Sequence, residues 1–582
     1  MPDSPQPEKQ AGLFELGLVM AGAVSAGAYT AGVLDFLLEA LEAWEQAKRE
    51  GHDVLRHSVR IPVLAGASAG GMTAAALTAA LSGRIEPVKN LNLDGDAPQG
   101  NALYECWVER VDIEQFLGLD DLAAQRVDSL LDCTALDALA EERMRPAPGT
   151  AAPRPYIADD LHVVLSLANL RGTPYKIPFK GQGDYGYPMT LHKDYAHFVY
   201  QKHPSQDIPS PIGGMPVALD PTDPGSEDWT FFKTAALATG AFPLALAPRM
   251  LTRYVDDYAL RKWLVPQLVS YDSANRILEI KAREQLVDLD RDALARTDAV
   301  RRATLNVDGG TFDNEPLELG RRILAGDDMV NPRDPERAHR AVLLIDPFPQ
   351  PAGDAAFPTT APDVLAMALK IIGAMKANAR FKEDELALAQ DRDCYSRFII
   401  GPVREGKAKP WHADIACGAL GGFSGFFSRR FRRHDFQLGR RNCQRFLSHH
   451  FLIPFEAATK NPVFKANASN LARFAVRRPD GGTTRLFIPI IPLMPGLDPD
   501  KGNEVKALSF DEAVLAGNGL DPLRPLLKGR IKAVAKIYLK KYVDDPGLRN
   551  LITLFLKGKL KKLADWLIGM AKQDFTQNGV MR

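Results

Sequence analysis

Val59-Arg-Ile-Pro-Val-Leu-Ala65 runs into Gly66-Ala67-Ser68-Ala69-Gly70, and Gly71-Met-Thr-Ala-Ala-Ala-Leu-Thr-Ala-Ala-Leu81 follows before Gly83. The first run is short and apolar, as a buried strand is, and the last is built from strong helix formers. The glycines between them mark a tight turn. The same grammar stands just upstream. Leu16-Gly-Leu-Val-Met20 leads into the small residues Ala21-Gly-Ala-Val-Ser-Ala-Gly27, after which Val33, Leu34, Leu37, Leu38, Leu41 and Trp44 recur at helical spacing. Two strand-turn-helix units in succession predict a mainly parallel sheet covered by helices. Further strands fit Val163 to Leu167, His197 to Tyr200, Thr304 to Val307 and Val342 to Ile345, with a Pro/Gly-rich stretch from Pro204 to Pro224. Beyond Pro347 the pattern turns helical, broken by Leu486-Phe-Ile-Pro-Ile-Ile-Pro-Leu493, which suits an edge strand or irregular segment. The expected fold class is α/β: a three-layer core with a mainly parallel central sheet, then a largely helical C-terminal extension. The expected boundaries are a disordered tail over 1–11, a catalytic domain over 12–350 and the extension over 351–582.

Composition is consistent with this. Of 582 residues, 46% are hydrophobic and 25% charged, so the chain can bury a substantial core and is not globally disordered. Lys+Arg and Asp+Glu balance at 72 each, which removes any overall electrostatic case for a nucleic-acid partner. Five scattered cysteines with no CxxC pair read as packed thiols of a reducing compartment. The polar, acidic N-terminus lacks the basic start of a signal peptide, which points to a cytoplasmic protein. Leu16 to Leu34 is uncharged and about long enough to span a bilayer, but its glycines and small residues favour strand, turn and helix. Oligomeric state has no sequence signal.

Gly66-Ala-Ser68-Ala-Gly70 matches G-x-S-x-G, and its strand-turn-helix setting is the arrangement that lifts a serine onto a strained turn at a helix N-terminus. A serine hydroxyl needs a neighbouring base before it attacks. His162, His192, His197, His339, His434, His449 and His450 are available, but none has a recognisable catalytic setting. Asp308 has one: Thr304-Leu-Asn-Val307 feeds directly into Asp308-Gly309-Gly310, a carboxylate at a predicted strand end, where the sites of open α/β sheets gather. Alone, Asp-Gly-Gly is commonly a plain turn.

Together, Gly66-Ala-Ser-Ala-Gly70, Ala235-Ala-Leu-Ala-Thr-Gly-Ala-Phe-Pro243 and Asp308-Gly-Gly-Thr-Phe-Asp-Asn-Glu-Pro316 resemble, in order, the motifs of the patatin-like phospholipases. The likeness covers roughly residues 12 to 350. It implies a patatin-like fold and a Ser-Asp dyad with Ser68 as nucleophile and Asp308 as proton acceptor, acting on lipid or phospholipid acyl esters; no cofactor is expected, and the scattered aspartates, with no HExxH or EF-hand-like spacing, imply no metal. It also assigns the oxyanion hole to the turn after the first strand. Here that turn is Ala21-Gly-Ala-Val-Ser-Ala-Gly27, poorer in glycine than the family's Gly-Gly-Gly-x-Arg-Gly and with Ala26 where the arginine is expected. Gly22, Ala23 and Val24 are the candidates, with the N–H of Ala69.

In the C-terminal half, Phe423-Ser-Gly-Phe-Phe-Ser-Arg-Arg-Phe-Arg-Arg-His-Asp435 interleaves aromatics with arginines, a pattern of a phosphate-meeting patch or of a solvated helix with an aromatic core side. Residues 524–572 alternate lysines with Leu551, Leu554, Phe555, Leu563 and Trp566, which reads as a peripheral membrane surface or as a packed helix with a basic solvent face. Two other functions stay open at this level: a Ser-His-Asp esterase or acyltransferase, and a weakly active membrane-binding scaffold keeping the hydrolase fold.

Overall fold

The computed structural model describes residues 12–146, 154–177, 187–203, 208, 210–271, 277–285, 300–326, 329–348, 367, 393–405, 414–480 and 482–582. The expected N-terminal tail and most of the segment just beyond Pro347 lie outside them. Both strand-turn-helix units form: β1 (Leu13–Met20) leads to α1 (Gly27–Arg49), and β2 (Ser58–Gly66) to α2 (Ala69–Ala80). Around them a sheet runs in the order β11-β10-β1-β2-β3-β4-β5, with β3 spanning Ile157–Ile177, β4 Tyr187–Gln201, β5 Val217–Leu219, β10 Arg340–Ile345 and β11 Arg397–Ile400.

The sheet is parallel from β11 through β3 and then changes sense. β4 returns antiparallel to β3, because residues 178–186 between them are too few for the dozen-residue crossover that parallel pairing needs. β9 (Arg301–Asp308) also runs antiparallel to β3, and β6 (Arg249–Tyr254) antiparallel to β9. Asp308 is therefore not at the end of a parallel strand, as the sequence suggests. It approaches from the opposite direction, paired with Leu167. A separate hairpin joins β7 (Trp263–Tyr271) to β8 (Ile277–Gln285).

Alternate residues of each central strand serve opposite faces. Val19, Val63, Ala65, Val342 and Leu344 pack under α5 (Leu317–Ala325), while Leu18, Met20, Leu64 and Leu343 join the larger core beneath α1, α2, α4 (Glu227–Thr239) and α6 (Arg429–His449). The result is three layers.

The expected division near residue 350 does not match the packing. Phe431, Phe436 and Phe446 of α6 share one hydrophobic core with Tyr29, Phe36 and Leu41 of α1. The two helices cross where a Cβ on Gly32 would strike the Phe436 carbonyl and one on Gly439 the Tyr29 carbonyl, so glycine is what allows this approach. Tyr29 Oη donates to Asn442 Oδ1 at 3.0 Å, and Arg440 pairs with buried Asp35 and with Glu39 at 2.6 Å. The arginine-aromatic segment is largely internal rather than a phosphate-meeting or solvated face, with only Arg429 and Arg430 among its arginines reaching solvent. Arg432 donates to the Val108 and Gly425 carbonyls at 2.8 and 2.6 Å, and Arg433 to the Gly95 carbonyl at 2.6 Å and to Glu109 at 3.0 Å. A run of arginines looks solvated in sequence because most of these acceptors lie more than 300 residues away.

A second sheet runs β12 (Leu452–Pro454), β14 (Thr483–Pro489), β13 (Val476–Asp480), so the Leu486 run begins in a central strand, not an edge. Its proline is tolerated because Pro489 is the strand's last residue. The chain closes with α7 (Arg524–Tyr542) and α8 (Pro546–Gln577), packed on each other. The apolar helical stretch Val24–Arg49 is long enough to cross a membrane, but its most apolar window is wholly buried inside the fold.

Buried histidines make the fold acid-sensitive. His162 Nδ1 and His197 Nε2 lie 3.0 Å apart, and burial lowers His162 from its ordinary 6.5 to about 4 and holds His197 well below the ordinary value too. His57, packed against Trp44 and Phe464, is lowered by burial to about 3. Each folded value lies below the unfolded one, so the unfolded chain binds more protons in between. Stability is therefore lost as pH falls from about 6.5 toward 4. Thermal melting should show Tm dropping steadily between pH 7 and pH 4.5, and a flat Tm over that interval would contradict this account.

Candidate active site

Ser68 sits between β2 and α2 with φ +51° and ψ −127°, a conformation that is strained for any residue with a side chain. The flanking glycines make the turn possible: a Cβ on Gly66 would meet the Gly70 backbone, and one on Gly70 the Met20 carbonyl. Thr239, at the end of α4, accepts the Ser68 N–H at 3.0 Å through its hydroxyl. The turn leaves Ser68 almost wholly enclosed, at 3% exposure, with its Oγ donating to Asp308 Oδ2 at 2.9 Å.

Asp308 is fully buried and its other oxygen accepts the Gly310 N–H at 2.8 Å. Its own N–H donates to the Ala241 carbonyl at 2.9 Å. Gly309 is needed because a Cβ there would collide with Ser166 of β3. The run from Ala235 to Pro243 thus touches both members of the pair, through Thr239 and Ala241. Asp313 and Asn314 extend the motif: Asp313 pairs with Lys193 at 2.9 Å, and its carbonyl accepts the Ser166 hydroxyl at 2.9 Å.

The turn after β1 lies against this pair. A Cβ on Gly22 would press on Asn314 Oδ1 and come within 3.0 Å of Ser68 Cβ, so glycine is required for closeness. Its N–H, however, donates to the Asn314 carbonyl at 3.0 Å. Gly22 is therefore corrected from oxyanion donor to spacer. Among the described residues the N–H groups of Ala23, Val24 and Ala69 make no backbone hydrogen bond, and they remain the candidate donors. Val24 stands at φ +48°, a β-branched residue in the left-handed region where the resembling family has glycine.

What holds Val24 there comes from the C-terminal half. Ser25 Oγ bonds to the Gly422 carbonyl and accepts the Gly425 N–H at 3.0 Å, and a Cβ on Gly422 would come within 3.2 Å of Val24 Cβ. Residues 416–427 therefore brace the turn at the place where the expected arginine is missing. Sequence reading missed this brace, as it missed Thr239 and Asn314. The last two stand inside motifs already recognised, whereas the brace has only the local run of glycines and phenylalanines as its signal.

An apolar cleft opens from Ser68, lined by Val24, Met72, Trp107, Phe116, Leu139 and Phe426 among others. Its cavity holds only about 50 Å³, so an entering chain must part flexible side chains such as Met72 and Met144. Cys106 in the wall is pushed up to about 12 by burial and stays a thiol. Among the described residues no histidine lines the cleft. His162 and His197 bond each other, His57 bonds the Ile490 carbonyl, and His434 bonds Asp435.

A hydroxyl on a carboxylate, at a helix N-terminus with free N–H groups and an apolar wall, is equipped for acyl transfer. No family model matches the sequence. The chain is similar to an uncharacterized protein of Sinorhizobium fredii, y4iI: 36% of positions are identical over 520 residues, covering 83% of this chain and 71% of that protein.

Proposed function

The chain belongs to the same family as the Sinorhizobium fredii protein y4iI, whose name carries no activity, and from the site itself we propose that it is a serine carboxylic-ester hydrolase acting on lipid acyl esters. The observation that carries this is the 2.9 Å contact from Ser68 Oγ to a fully buried Asp308 at the head of an apolar cleft.

In this reading the acyl chain lies along Met72, Trp107 and Leu139 and its carbonyl carbon faces Ser68. Asp308 takes the hydroxyl proton as Oγ bonds that carbon, and the carbonyl oxygen becomes an anion facing the N–H groups of Val24, Ala23 and Ala69. Such donors lower the barrier by about 3–4 kcal/mol each where their role has been isolated. The proton passes to the leaving alcohol as the tetrahedral species collapses to acyl-Ser68. Water then repeats the sequence, with Asp308 again as base, and releases the fatty acid. The substrate class follows from the wall: burying each methylene contributes about 0.8 kcal/mol, which favours long apolar acyl groups over acetate.

The test offers purified protein p-nitrophenyl esters of increasing chain length, phosphatidylcholine and lysophosphatidylcholine. Turnover should rise with chain length, and Ser68→Ala should be no faster than buffer. If the wild type is no faster than Ser68→Ala on every substrate, the enzyme reading is lost.

A further inference from the structure

Leu244 stands at φ +67°, a left-handed conformation that leucine avoids, and 67% of its surface faces solvent. Burial does not compensate for that strain inside the molecule, so the side chain has an outward use. Its neighbours share the character. The Leu244 carbonyl accepts the N–H of Leu130 at 2.9 Å, and Leu130 is 55% exposed. Arg530 of α7, itself buried, donates to the Leu130 carbonyl at 3.0 Å and the Gly118 carbonyl at 2.8 Å, and clasps Asp121. This fastens Leu119, 48% exposed, to the same place, and Leu526 one turn before Arg530 is exposed as well.

Hydrogen bonds thus gather outward-facing leucines from four separate stretches of chain. Leu119 and Leu244 border the cleft, because Phe116, Phe242 and Leu246, two or three residues from them, line it, and the bonds above hold Leu130 and the Arg530 turn of α7 beside them. We infer that Leu119, Leu130, Leu244 and Leu526 form a docking rim that seats the cleft mouth on the surface of an aggregated ester lipid.

This inference rests on the lipid-ester reading of the site. An acyl chain leaving a bilayer for an enclosed cleft avoids water only if the mouth is seated in the apolar layer. Charge gives a secondary preference. Lys528 and Lys532 are exposed on α7 beside the rim and favour anionic lipid, whereas Asp120 on the rim loop opposes it. The carboxylates of Asp121 and Asp128 are answered by Arg530 and Arg126. The seat is thereby set mainly by the leucines, not by the lysine-rich far end of α7 and α8.

The experiment measures co-sedimentation of the full chain carrying Ser68→Ala with vesicles of phosphatidylcholine containing phosphatidylglycerol, so that no lipid is consumed. Adding Leu119→Ser, Leu130→Ser and Leu244→Asn should lower the vesicle partition constant by about tenfold or more. The same three changes in the active chain should leave turnover of a soluble short-chain ester within about twofold, since none lines the cleft. Leu244→Asn alone is the folding control. Asparagine tolerates the left-handed conformation, so Tm should not fall while partitioning still drops.

Unchanged partitioning of the triple variant overturns the rim. So does loss that follows instead from Lys536→Glu, Lys540→Glu and Lys541→Glu while the triple variant binds normally. Rim-dependent vesicle binding by a chain that hydrolyses no ester keeps the rim and removes the hydrolase reading. Hydrolysis of the soluble ester without vesicle binding does the reverse.

Discussion

Asp308→Asn is expected to lower kcat for ester hydrolysis by about 10²–10⁴-fold, with KM changed by less than about threefold. Asparagine has the volume of aspartate and can still accept the Gly310 N–H through its amide oxygen, so the loop after β9 keeps its shape. The atom facing Ser68 Oγ then becomes an amide nitrogen, which has no lone pair to take a proton. The acyl group still binds its apolar wall. Chemistry slows and affinity does not. Ser68→Ala should fall to a similar floor, and the double variant no further, because nucleophile and base act as one unit. His162→Gln, His192→Gln and His434→Gln separate this from a histidine-based mechanism: each should retain turnover as long as the variant melts cooperatively. Wild-type rates in Asp308→Asn, or a folded histidine variant that falls as far, would reject the dyad.

How much of this was legible in the sequence depends on the range over which each signal acts. The strand-turn-helix units were legible because apolar periodicity and glycine placement are local properties of Val59 to Leu81 and Leu16 to Trp44. Ser68 and Asp308, 240 positions apart, could be paired only by resemblance, and the 2.9 Å contact now stands on its own geometry. Strand direction was not legible. Thr304 to Val307 reads as a strand whichever way it runs, and only pairing with β3 makes β9 antiparallel. The free donors were misjudged at Gly22, since nothing in Ala21 to Gly27 announces that the Asn314 carbonyl will take its N–H. The arginines of Arg429 to Arg441 failed for a similar reason. A buried guanidinium and a solvated one have the same sequence, and only distant carbonyls such as Val108 and Gly95 distinguish them.

That misreading has the largest consequence for stability. A chain ending at residue 350 is expected to be unfolded or insoluble, not a minimal hydrolase. α1 is buried on nearly every side, and α6 covers the face holding Tyr29, Phe36 and Asp35. Removing Phe431, Phe436, Leu438, Phe446 and Leu447 forfeits burial worth about 1.5–3 kcal/mol each. The sum, about 7–15 kcal/mol, matches the whole stability of an ordinary domain. The same deletion strips Arg440 from Asp35 and Glu39 and removes the brace that holds Val24 at φ +48°. Arg440→Met isolates the electrostatic part. It keeps bulk and stem but leaves buried Asp35 with only the neutral donors of Asn101 and Val88, and Glu39 with only Lys89, for an expected loss of about 3–5 kcal/mol. Soluble yield, circular dichroism and thermal melting of the full chain, Arg440→Met and residues 1–350 give the measurement. A cooperative melt and ester turnover in the 1–350 chain would show that α6 is an accessory; otherwise the C-terminal half is part of the fold that holds Ser68 and Asp308.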